Sequence, residues 1–453
     1  MGRADLKTKT KRKNAANSNS EGDFVSGSDY EGKDVSDHEV EEAQGRLKEA
    51  KKYLESLSQG TRKKRSKQTD EDEENEGNSL PFGEIDAEEI DREIIASRLQ
   101  RDTLVSRGRS FEAVAERYRE AEYKKIQCNT PDGRVPTGCA FGGDGSVLYL
   151  ITKGNCVFQY ALDATLQTIR KIHTFKGIDQ ARDIDSFCSL ALSHCGSYLA
   201  VGSHSGKIVV WAIKSTAAGK FNYKQISVLT QHRGAVQSLS FSRDDLTFYS
   251  ASTDRTVKIW SVESGEALYI DTLYGHQDTV PSVAALGKDT CVSVGSRDRT
   301  ARLWKIAEET QLVFRGPEAS GGSQEVISML EEGAFVTGTD LGAISLWNTR
   351  RKKPLRTVLN AHTGNAPIGA LSAYPFTDLV ASGSADGLVR LWRAAPSANE
   401  LLCVRELELS GIVTGLAWDE KAKILAVVSG KEQRLGRWDV NKAVKNQLHI
   451  LFW

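Results

Sequence analysis

Three histidines, His232, His276 and His362, and one adjacent pair, His194 and Cys195, are the side chains with which this chain could do acid–base or nucleophilic chemistry. The companions of an enzyme are missing around them. There is no phosphate-cradling glycine loop ending in Lys-Ser or Lys-Thr, no His-Glu-x-x-His and no Gly-x-Ser-x-Gly. His194 and Cys195 stand in HCGSYLAVG, a polar turn running into an apolar stretch, which reads as a strand entry. The seven cysteines are scattered and include no Cys-x-x-Cys pair, which points to reduced thiols and away from zinc. We therefore expect no catalytic residue, no metal and no cofactor. A second group could bind instead of react: Arg98, Arg101, Arg107 and Arg109 fall within 12 residues and could fork onto phosphates. They could equally pair with Asp91, Glu93 and Asp102, and the pattern leaves both open.

The elements that carry the histidines repeat. Tyr160, Trp211, Trp260, Trp304, Trp347, Trp392 and Trp438 each close a short hydrophobic run, at intervals of 51, 49, 44, 43, 45 and 46 residues. A period near 45 filled with short alternating strands predicts units of four antiparallel strands, none of which can bury both faces alone. Closing seven of them into a ring solves that, so the spacing predicts an all-β, seven-bladed propeller. In the best-preserved units an Asp stands six residues before the Trp: Asp254, Asp298 and Asp386.

This frame resembles the WD-repeat family, whose blades are stapled by a buried His, Ser or Thr, Asp and Trp. The resemblance implies two full staples, His232, Ser250, Asp254 and Trp260, and His362, Ser382, Asp386 and Trp392. A third has His276, Asp298 and Trp304 but Val294 where the hydroxyl belongs. Elsewhere Tyr160 replaces Trp, Leu341 and Ser205 replace Asp, and the Gly-His turn is absent before Trp211, Trp347 and Trp438, so these blades are expected to rely on packing alone. On this reading the three histidines are structural.

The first 125 residues are of another kind, with 25 basic against 29 acidic residues, whereas the remainder has 35 against 31. Neither balance is basic enough to prove nucleic-acid binding. Residues 1–80 alternate basic clusters, KTKTKRK and RKKRSK, with acidic, Ser-rich tracts, a composition that predicts a disordered arm with import signals. Within it an amphipathic helix is expected over about 38–58, with Leu47, Leu54 and Leu57 on one face, for a partner's groove in preference to docking on its own propeller. A charged helical segment is expected over 81–121 and the propeller over 122–453. Residues 123–127 are expected to supply the outermost strand of the last blade, with the C-terminal NQLHILFW as competitor. No apolar run is long enough to span a membrane and no apolar segment follows the N-terminal basic run, so a soluble, intracellular protein is expected.

Several stretches sharpen the resemblance. LYGHQDTVPSVAAL, GSRDRTARLWKIAEETQLVFRG, KEQRLGRW, RLKEAKKYLESL and RLQRDTLVSRGR are similar to segments of the WD-repeat subunits specific to the U3 small nucleolar ribonucleoprotein. That family implies a non-catalytic role in the nucleus and nucleolus. Its members bind the box B/C region of U3 small nucleolar RNA beside a kink-turn-binding small nucleolar ribonucleoprotein protein, and they join other small-subunit processome proteins where 18S pre-ribosomal RNA is processed. No membrane and no small-molecule substrate is implied. Candidate RNA-binding residues are the four arm arginines together with Lys207, Arg255, Arg297, Arg299, Arg434 and Arg437, which lie in turns before aromatic-bearing strands, at a rim of the disc. The rival reading is a nuclear WD-repeat scaffold or peptide-reading adaptor without RNA contact. Ligase adaptors carry Trp-Asp-x-Arg, whereas Trp438 and Asp439 are followed by Val440 and Asn441.

Overall fold

The computed structural model describes residues 111–453, apart from 144, 164–167, 177–185, 216–220, 264, 317–321, 420–422, 435 and 437–439. The arm helix with Leu47, Leu54 and Leu57, the arginines 98, 101, 107 and 109, and Arg437 lie outside the described residues.

Strands dominate because the sequence supplies three- to nine-residue runs, mostly of alternating or wholly apolar character, between turn residues. They form seven four-stranded antiparallel sheets. We number the blades by residue: 136–176, 187–229, 236–273, 282–315, 324–358 and 368–408 for blades 1 to 6, and 412–452 with 124–129 for blade 7. In the first six the strands follow chain order. In blade 7 the order is Lys124–Asn129, Gln447–Phe452, Ile424–Gly430, Ile412–Trp418. The chain's two ends thus pair with each other, from Lys124 against Phe452 to Asn129 against Gln447, and the C-terminal strand is the third of its blade, inside the N-terminal one.

The aromatics of blades 1 to 6 pack against the preceding blade. Trp260 sits with Ala200 and Val210 of blade 2, Trp347 with Val292 and Phe314 of blade 4, Trp392 with Val336 and Leu346 of blade 5, and Tyr160 with Ala426 and Ile450 of blade 7. Burial of one such ring makes its truncation to alanine cost about 3–5 kcal/mol, so the inter-blade layers hold much of the fold.

Two expectations about the elements need correction. The seventh blade's third strand is not the run before position 438, which lies outside the described residues. That strand is Gln447–Phe452, and Leu451, opposite Leu425, holds the register that Trp392 holds opposite Val380. A 16-residue connection, 431–446, separates it from the second strand, and equal spacing cannot foresee a loop that long. The helical segment expected over 81–121 is described only from 111, and there it holds a single 3-10 turn, Ala115–Tyr118. The backbone N–H groups of Val114 and Ala115 both donate to Asp378 Oδ1, at 2.7 and 2.9 Å, and Tyr118 packs edge-on against Trp453 and Trp418. Tertiary capture of these groups wins over local helix propensity.

Candidate nucleic-acid interface

The staples fix the turns that carry the arginines. In blade 3, His232 Nδ1 lies 2.7 Å from Asp254 Oδ2 and its Nε2 lies 2.7 Å from Ser250 Oγ. Trp260 Nε1 donates to the same Ser250 Oγ at 2.8 Å. An indole can only donate, so the serine hydroxyl is left to donate to Nε2, which puts the imidazole proton on Nδ1 facing the carboxylate. Blade 6 repeats the set with His362, Ser382, Asp386 and Trp392. Blade 4 does too, but through Ser293, which meets His276 Nε2 and Trp304 Nε1, each at 2.8 Å. The hydroxyl is therefore not missing. Ser293 stands five residues before Asp298, where Ser250 and Ser382 stand four before theirs, because the blade 4 turn is one residue longer. Blade 5 also exceeds packing alone, since Trp347 Nε1 donates to Thr337 Oγ1 at 3.0 Å.

Both ring nitrogens of the three histidines are thus engaged inside the blades. Burial works to raise the pKa of Asp254, Asp298 and Asp386, yet hydrogen bonds from the paired imidazoles and from neighbouring Thr or backbone groups hold all three below the usual carboxylate range. These Asp residues also accept from the backbone two residues on, which shapes the turn that follows.

At the residue after the Asp position the backbone is left-handed in five blades. Glycine fills it in blades 2, 5 and 6, as Gly206 (φ 88), Gly342 (φ 70) and Gly387 (φ 80). In blades 3 and 4 it is filled by Arg255 (φ 69) and Arg299 (φ 54). A side chain there costs about 1 kcal/mol or more that glycine would avoid. Arg255, Arg297 and Arg299 are exposed, as is Arg233 in the turn entering blade 3, and none of the four makes an ion pair among the described residues. Antiparallel strands place the second-to-third-strand turns and the blade-to-blade turns at the same end of every sheet, so these four guanidiniums share one face of blades 3 and 4. Lys207, half-buried, stands at the matching turn of blade 2.

Arg434 is elsewhere. It lies in the 431–446 connection, and instead of reaching the rim it enters the central opening, where it shares a cavity of about 270 Å³ with Glu325 and Asp340. Burial lowers its pKa, and burial raises that of Glu325 against the hydrogen bond from Ser296 Oγ at 2.9 Å. Lys153, on the corresponding turn of blade 1, is tied to Glu432 at 3.2 Å and to the carbonyl of Gly436.

A basic feature with no counterpart in the sequence reading is a cleft of about 700 Å³ bordered by Arg299, Arg302 and Arg315 of blade 4 and Lys352 of blade 5. Its signal was present in TARLW and QLVFR, where basic residues alternate with apolar ones, but only the strand pairing brings them together. Among the described residues no group of three His, Cys, Asp or Glu side chains could hold a metal ion, and no helix is long and apolar enough to cross a membrane.

The ring of four-stranded blades and the imidazole staples define a WD-repeat β-propeller, with exposed arginines at one end of blades 3 and 4. Comparison with known proteins agrees. The WD domain, G-beta repeat description matches residues 170–212, 223–261, 268–305 and 352–393. U3 small nucleolar RNA-interacting protein 2 of Homo sapiens is 30% identical over 381 residues, covering 81% of this chain and 77% of the human protein. Ribosomal RNA-processing protein 9 of Saccharomyces cerevisiae is 27% identical over 506 residues, covering 88% and 87%. The solved structure of U3-55K matches with a TM-score of 0.65 and 31% identity, covering 74% of this chain and 99% of that one. The chain belongs to the family of U3 small nucleolar RNA-interacting WD-repeat proteins.

Proposed function

We propose that this chain is a non-catalytic subunit of the U3 small nucleolar ribonucleoprotein, which binds the box B/C region of U3 RNA and scaffolds the small-subunit processome during 18S pre-ribosomal RNA processing. It works in the nucleolus, beside a kink-turn-binding protein and other processome proteins. The names of its relatives support the assignment to the particle. The observation that carries the RNA contact is the pair Arg255 and Arg299, guanidiniums displayed at left-handed positions where three other blades use glycine. A strained backbone retained to present a charge is the expected mark of a binding group. Together with Arg233 and Arg297 they make a surface suited to a folded RNA's phosphates, read by shape and backbone.

The peptide-reading alternative needs an acidic central pocket open to a cationic tail, and that pocket already holds the chain's own Arg434 beside Glu325 and Asp340. The reading is tested by crosslinking the purified full chain to a U3 RNA fragment containing box B/C. Crosslinked peptides from blades 3 and 4 are expected. A chain that gives no crosslink, and whose filter binding matches that of an unrelated structured RNA, would refute direct RNA recognition.

A further inference from the structure

The cleft at blade 4 concentrates charge in a way a blade does not need. In the pairing of the third and fourth strands, Arg302 faces Val313 and Thr300 faces Arg315. With a side-chain period of two, Arg302 and Arg315 are diagonal neighbours on one face of the sheet, and like charges so placed repel. Arg299 joins them because its carbonyl accepts the N–H of Gly316 at 3.2 Å, which draws the end of the outer strand to the turn. Lys352 approaches from blade 5. One carboxylate borders the cleft, Asp298, and it is committed to His276 at 2.8 Å and to Thr300. Arg299, Arg315 and Lys352 make no ion pair among the described residues.

The Arg302 guanidinium is half-buried and half-used. Its Nη1 donates to Gln311 Oε1 at 2.7 Å, but its buried Nε has no hydrogen-bond partner. Burial lowers its pKa, so the charged form is the one under strain. Gly275 leaves it room, since a Cβ there would stand 2.5 Å from Nη1. A buried cationic donor left unsatisfied, beside three unneutralised cations in an open cleft, asks for an anion with several acceptor oxygens.

We propose that this cleft is a discrete phosphodiester-binding subsite, in which Arg302, Arg315, Arg299 and Lys352 clamp one or two backbone phosphates of the RNA that runs from the arginine face of blades 3 and 4. The inference rests on the RNA-binding reading and adds to it a fixed anchor point. Guanidiniums fork onto phosphate oxygens bidentately, and Lys352 adds a point charge from the neighbouring blade.

The test compares three forms of the full chain by fluorescence anisotropy on a labelled box B/C RNA fragment across a salt series. The cleft variant is Arg299→Gly, Arg315→Ser and Lys352→Ser, which touches only exposed side chains and relieves one left-handed arginine. The charge-preserving variant is Arg315→Lys with Lys352→Arg. If the subsite exists, the cleft variant loses about tenfold or more in affinity and its log–log salt slope becomes shallower by about 1–2, while the charge-preserving form keeps the wild-type slope and loses less affinity than the cleft variant, since it gives up the fork at 315 but no charge. Wild-type binding with an unaltered cleft variant overturns the subsite alone. A wild-type chain that binds no RNA overturns the RNA reading and the subsite together. A cleft variant that keeps RNA affinity but loses a doubly phosphorylated serine peptide makes the cleft a protein-docking site, which also contradicts the proposal.

Discussion

At the scale of single residues, Ser293 shows how a hydrogen-bond hub can hide from a positional rule. It accepts from Trp304 and meets His276, so removing its hydroxyl leaves two buried polar atoms without partners. Ser293→Ala is expected to destabilise by about 2–4 kcal/mol, as much as Ser250→Ala or Ser382→Ala, in equilibrium denaturation. A loss under about 0.5 kcal/mol would mean blade 4 is not stapled. Arg255→Gly and Arg299→Gly are expected to leave stability unchanged or slightly raised, because relief of the left-handed backbone offsets the entropy glycine adds to the unfolded chain. Titration gives another expectation at this scale. Burial depresses His449 from the usual 6.5 to about 4 and lowers His362 as well, so between these values the unfolded chain holds protons the folded one refuses. These two histidines therefore make stability fall as pH drops from about 6.5 towards about 4, while Glu325 and Glu331, whose pKa values burial raises, work the other way, and the loss from Asp254, Asp298 and Asp386 begins only below about 3.8. Denaturation midpoints of the wild type relative to His449→Gln, measured from pH 8 to 4, check the sign; a wild type that gains on the variant as the pH falls would contradict it.

At the scale of elements, ring closure depends on one borrowed strand. The face of Gln447–Phe452 is wholly buried, and its outer hydrogen-bonding edge is covered by Lys124–Asn129. A chain beginning at residue 111 is expected to keep the wild-type denaturation midpoint. One beginning at residue 130 uncovers that edge and should unfold earlier and scatter light on concentration, as unpaired edges do. Equal behaviour of the two would show that the closing strand is dispensable. The blade count could be read from spacing, since periodic aromatics and Asp turns are local signals, and the staple residues of blades 3 and 6 followed from the resemblance to WD-repeat proteins. Ser293, Leu451 and the 3-10 turn at Ala115–Tyr118 could not, because an extra turn residue, a 16-residue connection and capture by Asp378 are tertiary facts. The rim arginines were legible as turn residues; the turn of Arg434 into the central opening, and the meeting of Arg302, Arg315 and Lys352, required the fold.

At the scale of the whole molecule, the seven blades carry charge unevenly at their turns. Blades 3 and 4 present arginines that make no ion pair among the described residues, while Lys153 of blade 1 pairs with Glu432 and Arg434 lies in the central opening with Glu325 and Asp340 lining the same cavity. A molecule that binds RNA by this face should show it as localised, salt-sensitive affinity. The most direct measurement is the affinity for a box B/C RNA fragment of the wild-type chain and of Arg233→Ser, Arg255→Gly, Arg297→Ser and Arg299→Gly combined, each across a salt series. We predict binding by the wild type, a loss of about a hundredfold in the combined variant and a salt slope shallower by about 3, with the fold intact by circular dichroism. Equal affinity and slope in the two proteins would contradict the account.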